Sequence, residues 1–328
     1  MDYRLGLVTK TSSAISLSIC TRPITIMHDT RGVGLGTVTP FTKDNKVDVE
    51  GIRKNLGFYL KNGVNSVEPC ATTGEGSLLT LEEHEKVIRT TVEFVNHRVP
   101  VMPGASGTSP DAIIKLVRLA KDLGADGSYL STPSYTKPSQ EGLLAHFNKI
   151  MDSVDVPIVI YNAIHRSGVD LSAEVVQKLS NEFSHFVGFK EQSLARVLKI
   201  KGLVGDELAL ITEDWLFLPG LSLGCVGVQT IAGSIFPAMM VDIYQSYLRG
   251  DLKRAREIQI RLYPLMEILG IGTGGREANP TPIKAAMNML GLEAGSPRLP
   301  LLPASEETRS ELRTQILKIL PSMKLEGV

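Results

Sequence analysis

Residues 99–125, VPVMPGASGTSPDAIIKLVRLAKDLGA, contain a short apolar segment followed directly by an amphipathic one. VPVMPG (99–104) has the length and composition of a buried β-strand. In the segment that follows it, Ile113 and Val117 fall on one face at helical spacing, while Lys115 falls on the opposite face. The stretch therefore predicts a strand followed by a helix, the repeating unit of α/β proteins.

The same alternation recurs from residue 34 to residue 230. A strand that alternates with a helix throughout indicates a parallel sheet, and eight strands close a (β/α)8 TIM barrel. A doubly wound open sheet is the alternative, but no GxGxxG motif follows the first strand. The eight strand candidates are GLGTVTP (34–40), VNSVEP (64–69), VPVMPG (99–104), GSYLST (127–132), VPIVIYN (156–162), FVGFKE (186–191), LALIT (208–212) and GCVGVQT (224–230).

Four more helical patterns follow the last strand, joined by turns rich in glycine and proline. They lie near residues 234–249, 251–268, 279–291 and 304–320 and predict a helical C-terminal extension. We therefore divide the chain into three parts. These are an N-terminal arm (1–30) that we expect to be flexible, the barrel (31–235), and the last barrel helix with the extension (236–328).

Composition excludes several classes of protein. Lysine plus arginine and aspartate plus glutamate each number 35 in 328 residues, so the net charge is zero and no basic nucleic-acid footprint is expected. The three cysteines are few and lack metal-ligand spacing, which is typical of a reduced, cytoplasmic protein. Residues 215–241 carry no charge, but glycine and proline interrupt them, so we expect no membrane span and no membrane partner.

Catalytic groups of a (β/α)8 barrel belong at the carboxyl ends of its strands. In this chain those ends supply a lysine, two tyrosines and paired threonines, and they lack the histidine, cysteine and aspartate cluster of a metal site. The side chains are Thr39, Thr72, Thr73, Glu75, Tyr135, Tyr161, Asn162, Lys190, Glu191, Glu213, Asp214, Gln229 and Thr230.

This set suits imine chemistry. A lysine amine attacks a ketone only in its neutral form, which burial at the mouth of an apolar barrel favours, so Lys190 is the candidate nucleophile. Tyr161 could move protons, Thr72-Thr73-Gly74 could bind a small carboxylate, and Arg166 could bind a second one. Taken singly, each has an ordinary structural explanation: a helix-capping turn, packing at the barrel rim, or a solvated loop residue.

Seven motifs, in this order and spacing, resemble the dihydrodipicolinate synthase/N-acetylneuraminate lyase family over roughly residues 32–320. The resemblance implies a class I aldolase-type barrel that forms a Schiff base with pyruvate or a similar 2-oxo acid. The motifs are GTVTPF (36–41), ATTGEGSLLTLEEH (71–84), TPSYTKPSQEGLLAHF (132–147), IVIYNAIHRSG (158–168), VGFKE (187–191), LGCVGV (223–228) and NPTPIK (279–284).

The resemblance also implies roles for single residues. Lys190 matches the imine-forming lysine, and Tyr161 matches the proton relay, with Thr72 and Tyr135 as its other members. Tyr135 would reach into a neighbouring subunit's site, and Thr73 with the adjoining backbone would bind the pyruvate carboxylate. No metal or organic cofactor is implied, because the covalent imine forms on the protein itself. Family members are commonly homotetramers built as dimers of dimers.

Arg166 matches the arginine by which the synthases of the family bind aspartate semialdehyde. We therefore expect condensation of pyruvate with L-aspartate 4-semialdehyde. Departures from the family pattern at Ala71, Ile164, Thr212 and Gln229 leave two alternatives open. One is a class I aldolase or dehydratase acting on a 2-keto-3-deoxy sugar acid or a related 2-oxo acid. The other is a non-catalytic ligand-binding barrel.

Two further departures concern regulation. Ser134 replaces the tyrosine that precedes Tyr135 in lysine-regulated synthases, and Leu81 replaces a histidine there. The resemblance therefore implies that lysine does not inhibit this protein.

Overall fold

The computed structural model describes residues 30–270, 277–322 and 325. The N-terminal arm predicted for residues 1–30 lies outside the described residues, apart from Thr30.

The described residues form an eight-stranded sheet in the order β2-β1-β8-β7-β6-β5-β4-β3, and every strand pair is parallel. Val67 of β2 makes a further parallel bridge to Val101, just before β3, so the sheet closes into a barrel. The strands are β1 (Gly32–Gly36), β2 (Ser66–Glu68), β3 (Gly104–Ala105), β4 (Ser128–Ser131), β5 (Ile158–Tyr161), β6 (Phe186–Lys190), β7 (Ala209–Thr212) and β8 (Gly227–Thr230).

Helices follow the strands and cover the outside of the barrel, which confirms the predicted (β/α)8 fold. They are α1 (Val49–Lys61), α2 (Leu81–Val95), α3 (Pro110–Asp122), α4 (Gln140–Asp152), the short α5 (Ile164–Ser167), α6 (Ala173–Glu182), α7 (Leu194–Val204), α8 (Phe217–Ser222) and α9 (Pro237–Leu248). The helical extension is also present, as α10 (Leu252–Ile268), α11 (Thr281–Met289) and α12 (Glu306–Ile319).

The third predicted strand is much shorter than its apolar run. VPVMPG (99–104) contributes only Gly104 to β3, together with the bridge at Val101. Pro100 and Pro103 lack an amide hydrogen, so they cannot donate to a continuous ladder.

Helix α3 forms as the sequence pattern of residues 99–125 predicts. Ile113, Val117 and Ala120 are buried against the barrel, as their spacing predicts. Pro110 occupies the first turn, where a missing amide hydrogen costs nothing. Leu123 ends the helix, and Gly124 follows with φ +86°, a conformation that favours glycine.

Residues 215–241 are divided among short helices, β8 and the start of α9. Within the described part of the chain, no helix has both the length and the apolar character needed to cross a membrane.

Asn279 and helix α11 lie against the turn after β2, at the carboxyl ends of the barrel strands. Asn279 donates to the hydroxyl of Thr73 at 3.0 Å. Lys284 of α11 contacts Glu75 at 2.6 Å, and both side chains are almost fully buried. The extension therefore helps to fix the turn after β2, where a carboxylate site is predicted.

Candidate active site

A cavity of about 40 Å³ opens at the carboxyl ends of the strands. Among the predicted site residues, Thr72, Thr73, Tyr161, Arg166, Lys190 and Gln229 all line it, whereas Gly74 and Tyr135 do not. The described lining residues are Gly36, Ala71, Thr72, Thr73, Gly104, Ser106, Tyr129, Leu130, Ser131, Tyr161, His165, Arg166, Lys190, Glu213, Gln229, Thr230, Ile231, Gly270 and Asn279.

Lys190 is the last residue of β6 and only 4% exposed. Its Nζ lies 3.0 Å from Oε1 of Glu213 and 4.2 Å from the centre of the Tyr161 ring. The side chain thus leaves an apolar strand, since Phe186 and Phe189 are fully buried, and ends among polar groups at the cavity.

Tyr161 ends β5 directly beside Lys190, its partner in the strand register. The phenol donates a hydrogen bond to Oε1 of Glu213 at 2.9 Å and accepts one from Gln192 at 3.0 Å. Burial and the neighbouring Glu213 carboxylate raise the pKa of Tyr161 well above its usual range, so the hydroxyl keeps its proton at neutral pH.

Glu213 is the central residue of this network, and sequence reasoning gave it no role. It directly follows β7, is 3% exposed, and receives hydrogen bonds from Tyr161 and Gln192. Burial acts to raise its pKa, but the charge of Lys190 and these hydrogen bonds outweigh burial and lower it. The sequence feature that could have indicated it is an acidic residue directly after a buried strand.

The turn after β2 forms a tight cradle. A Cβ at Gly74 would lie 2.9 Å from both Cys70 N and Thr37 O, so only glycine fits there. Thr39 donates to the carbonyl of Gly74 at 2.7 Å, and Thr73 is buried. Glycine at position 74 therefore lets the turn pack tightly against the backbone of Cys70 and Thr37.

The expected relay from Thr72 to Tyr161 is not formed in the single chain. Within the described residues the Thr72 hydroxyl makes no hydrogen bond, and the Tyr161 hydroxyl bonds to Glu213 and Gln192 instead. Tyr135 is 93% exposed and stands outside the cavity. One chain therefore does not bring the three relay members together.

Arg166 lies in α5 with an exposed side chain that borders the cavity and a larger neighbouring one of about 310 Å³. No carboxylate of the described residues forms an ion pair with it. Its guanidinium is therefore open to a ligand carboxylate, which it could bind through two parallel hydrogen bonds.

Two departures from the family pattern behave differently. Gln229 is buried and lines the cavity, so it changes the chemistry of the wall. Thr212 does not line the cavity: a Cβ at Gly220 of α8 would lie 2.4 Å from its Cγ2, so Thr212 packs outward against α8. Thr212 is therefore not part of the cavity wall.

Glu68 adds a buried carboxyl beneath the site. Glu68 is fully buried, and its Oε1 accepts a hydrogen bond from the Ser66 hydroxyl at 2.9 Å. Burial raises the pKa of Glu68 to about 7, although Ser66, Gln229 and the charge of Lys190 each act to lower it. The barrel interior below the lysine thus holds a titratable group that no site prediction included.

In the part of the chain that the structure describes, no group of three or more histidine, cysteine, aspartate or glutamate side chains could hold a metal ion. Cys70 and Cys225 are buried and unpaired, and Cys20 lies outside the described residues.

Comparison with known proteins shows the family of the chain. The chain matches the Dihydrodipicolinate synthetase family over residues 29–319. It is 40% identical over 293 residues to the 4-hydroxy-tetrahydrodipicolinate synthase of Methanothrix thermoacetophila, which covers 88% of this chain and 97% of that protein.

Solved structures give the same result. Dihydrodipicolinate synthase from Aquifex aeolicus superposes with a TM-score of 0.85 at 35% identity, covering 90% of this chain and 100% of that one. The chloride-inhibited enzyme from Acinetobacter baumannii, complexed with pyruvate, gives 0.83 at 33% identity, covering 88% and 98%. The chain belongs to the dihydrodipicolinate synthetase family.

Proposed function

We propose that the protein is a Schiff-base-forming lyase that condenses pyruvate with L-aspartate 4-semialdehyde, as a 4-hydroxy-tetrahydrodipicolinate synthase does. The observation that carries the proposal is the buried Lys190 at the end of β6, paired in register with Tyr161 and open to the cavity. The Methanothrix relative carries this enzyme's name, and the Acinetobacter relative holds pyruvate.

Pyruvate would bind with its keto carbon at Lys190 and its carboxylate at Thr73. Thr73 lines the cavity, and its hydroxyl accepts a hydrogen bond from Asn279. Lys190 would form the imine, so no separate cofactor is needed for the chemistry. The resulting enamine would attack the aldehyde of the second substrate.

Arg166 would bind the carboxylate of the semialdehyde. Its side chain borders both cavities, and no described acidic group pairs with it. An arginine in this position selects for an anionic aldehyde, because its planar fork matches a carboxylate in geometry as well as in charge.

One observation favours a second candidate. Gln229 and Glu213 place an amide and a carboxylate in the cavity wall, and such groups can bind hydroxyls. A 2-keto-3-deoxy sugar acid would present those hydroxyls. Cleavage assays with a panel of such acids separate this activity from condensation.

We also propose that the protein works as a cytoplasmic homotetramer in which Tyr135 completes a neighbouring site. Two exposed side chains support an interface there: Tyr135 at 93% and Leu299 at 77%. The residues next to them in sequence, Ser134 and Pro300, line the 310 Å³ cavity beside Arg166.

The test is a condensation assay with pyruvate and aspartate semialdehyde on wild type and Arg166→Ala. We expect Arg166→Ala to lose about 100-fold in kcat/KM for the semialdehyde, since charged hydrogen bonds of this kind contribute roughly 1.5–3 kcal/mol. Its rate with uncharged aldehydes should be unchanged. The control is Arg89→Ala, an exposed arginine paired with Glu85 on α2. No condensation by wild type, or equal losses for all aldehydes, contradicts the proposal.

A further inference from the structure

We propose that Glu213 is a catalytic residue, the carboxylate that takes the proton from Lys190 and returns it to the departing water during imine formation. This inference rests on the proposed function. It adds to the expected relay of Tyr161, Thr72 and Tyr135 a group that touches the lysine directly.

The contacts of Glu213 converge on a single oxygen. Its Oε1 lies 3.0 Å from Lys190 Nζ, 2.9 Å from the Tyr161 hydroxyl and 2.7 Å from Gln192 Nε2. Gln192 also donates to the Tyr161 hydroxyl at 3.0 Å, so it holds the acid and the phenol together. These distances are those at which a proton passes between heavy atoms.

The other acidic groups that the structure describes near Lys190 have partners of their own. Glu68, below the lysine, accepts a hydrogen bond from Ser66. Glu191 accepts hydrogen bonds from Asn162 and Arg196. Asp214 bonds to the hydroxyl of Thr230 and to backbone amides that follow β8. Among the described residues, only Glu213 forms an ion pair with Lys190.

Tyr161 cannot accept the first proton, because its hydroxyl already carries one. The carboxylate of Glu213 raises the pKa of the phenol further, in addition to the effect of burial. Tyr161 can therefore donate its proton to the reacting oxygen and take up another from its neighbours. The group that accepts the first proton from Lys190 must be a different one, and the Glu213 carboxylate is in contact with the lysine.

The step balances without any added reactant. Protonated Lys190 gives one proton to Glu213, and its nitrogen then attacks the keto carbon, so a C–N bond forms and the carbonyl π electrons move onto oxygen. Tyr161 protonates that oxygen and regains a proton from the nitrogen. Glu213 returns its proton through Tyr161 to the carbinolamine hydroxyl. The C–O bond breaks, water leaves, and the nitrogen lone pair completes the iminium.

The experiment measures imine formation without the second substrate. Borohydride trapping of pyruvate and exchange of its methyl hydrogens in D₂O are followed in wild type, Glu213→Gln and Glu213→Ala. The control is Glu85→Gln, an exposed acid on α2. We expect Glu213→Gln to form the imine about 100-fold more slowly, the usual contribution of a positioned acid–base group. Its rate should rise with pH, because the proton must then leave to solvent.

Added formate should restore imine formation in Glu213→Ala, which a merely structural role would not allow. If either variant fails to fold, as judged by circular dichroism, Glu213→Asp provides the comparison and should keep the wild-type pH dependence at a reduced rate. Trapping by Glu213→Gln within twofold of wild type, or no rescue by formate, overturns this inference alone. No trapping by wild type overturns the proposed function itself.

Discussion

Single side chains at three strand ends define the candidate chemistry. Lys190 and Tyr161 face one another because β5 and β6 are in register at their last residues, and Glu213 reaches both from the end of β7. The amine is buried among groups that can exchange protons with it.

Glu68 gives a stability prediction at the same scale. Its pKa lies near 7 in the folded protein and at its ordinary value of 4.5 when unfolded. The folded state therefore binds more protons between these values, and the stability that Glu68 contributes is complete below the lower value and lost as pH rises through 7. We expect wild type to lose about 2 kcal/mol from this group between about pH 5.5 and about pH 8.5.

Glu68→Gln should remove that loss while keeping an acceptor for Ser66. Urea unfolding at the two pH values measures it, with the exposed Glu85→Gln as the control. Equal pH slopes in wild type and Glu68→Gln would show that the buried carboxyl does not titrate in this range.

At this scale the sequence indicated much of the site. Lys190, Tyr161, Thr73 and Arg166 line one cavity because strand ends of a parallel barrel meet at one rim. Glu213 was passed over because a residue just beyond a strand can point toward or away from the axis, and the pattern does not say which.

At the scale of secondary-structure elements, the turn after β2 is the main contact between the site and the C-terminal extension. Lys284 of α11 lies 2.6 Å from Glu75, 3.2 Å from the carbonyl of Ser296 and 4.1 Å from the centre of the Phe41 ring. Burial lowers the pKa of Lys284 to about 8, against the opposing effect of Glu75. The pair links the extension to the predicted carboxylate cradle.

Lys284→Met should cost about 3–5 kcal/mol of unfolding free energy, because it leaves the Glu75 carboxylate buried without its partner. The double variant Lys284→Met/Glu75→Gln should recover part of the loss. The matched control is Lys54→Met, which breaks the exposed pair with Glu293 and should leave stability unchanged. Denaturant titration gives all three values, and equal effects of Lys284→Met and Lys54→Met would contradict this interpretation.

Strands and helices were predictable as elements, since apolar runs and helical spacing follow directly from burial. Their lengths were less so. The third strand is shortened by Pro100 and Pro103, and the short helix α5 was not foreseen because four residues are too few to show a period.

For the whole molecule, the fold leaves the proposed relay incomplete in one chain. Tyr135, at 93% exposure and φ +72°, projects from the barrel while Tyr161 lies inside it. An assembly in which one subunit supplies Tyr135 to its neighbour would complete the relay. The hydrophobic pattern of the sequence does not reveal this, because it depends on a second copy of the chain; only the resemblance to the family predicted it.

We expect light scattering after gel filtration to give a tetramer. Mixed assemblies of Lys190→Ala and Tyr135→Phe subunits should regain activity that neither variant has alone, because each subunit supplies what the other lacks. Native mass spectrometry verifies mixing. Fully mixed assemblies without activity, or a monomeric wild type with full activity, would contradict this arrangement.

The response to lysine gives a further prediction. With Ser134 and Leu81 in place of the family's lysine-binding side chains, free lysine should leave the condensation rate unchanged across millimolar concentrations. Potent inhibition of the purified protein would show the prediction wrong.

The most direct test of the central claim is reduction with borohydride in the presence of pyruvate, followed by mass spectrometry of the digested protein. We predict one reduced pyruvyl group on the peptide that contains Lys190, and none in Lys190→Ala. An unmodified Lys190 in the folded protein, or an adduct on Lys284, the other buried lysine among the described residues, would contradict it.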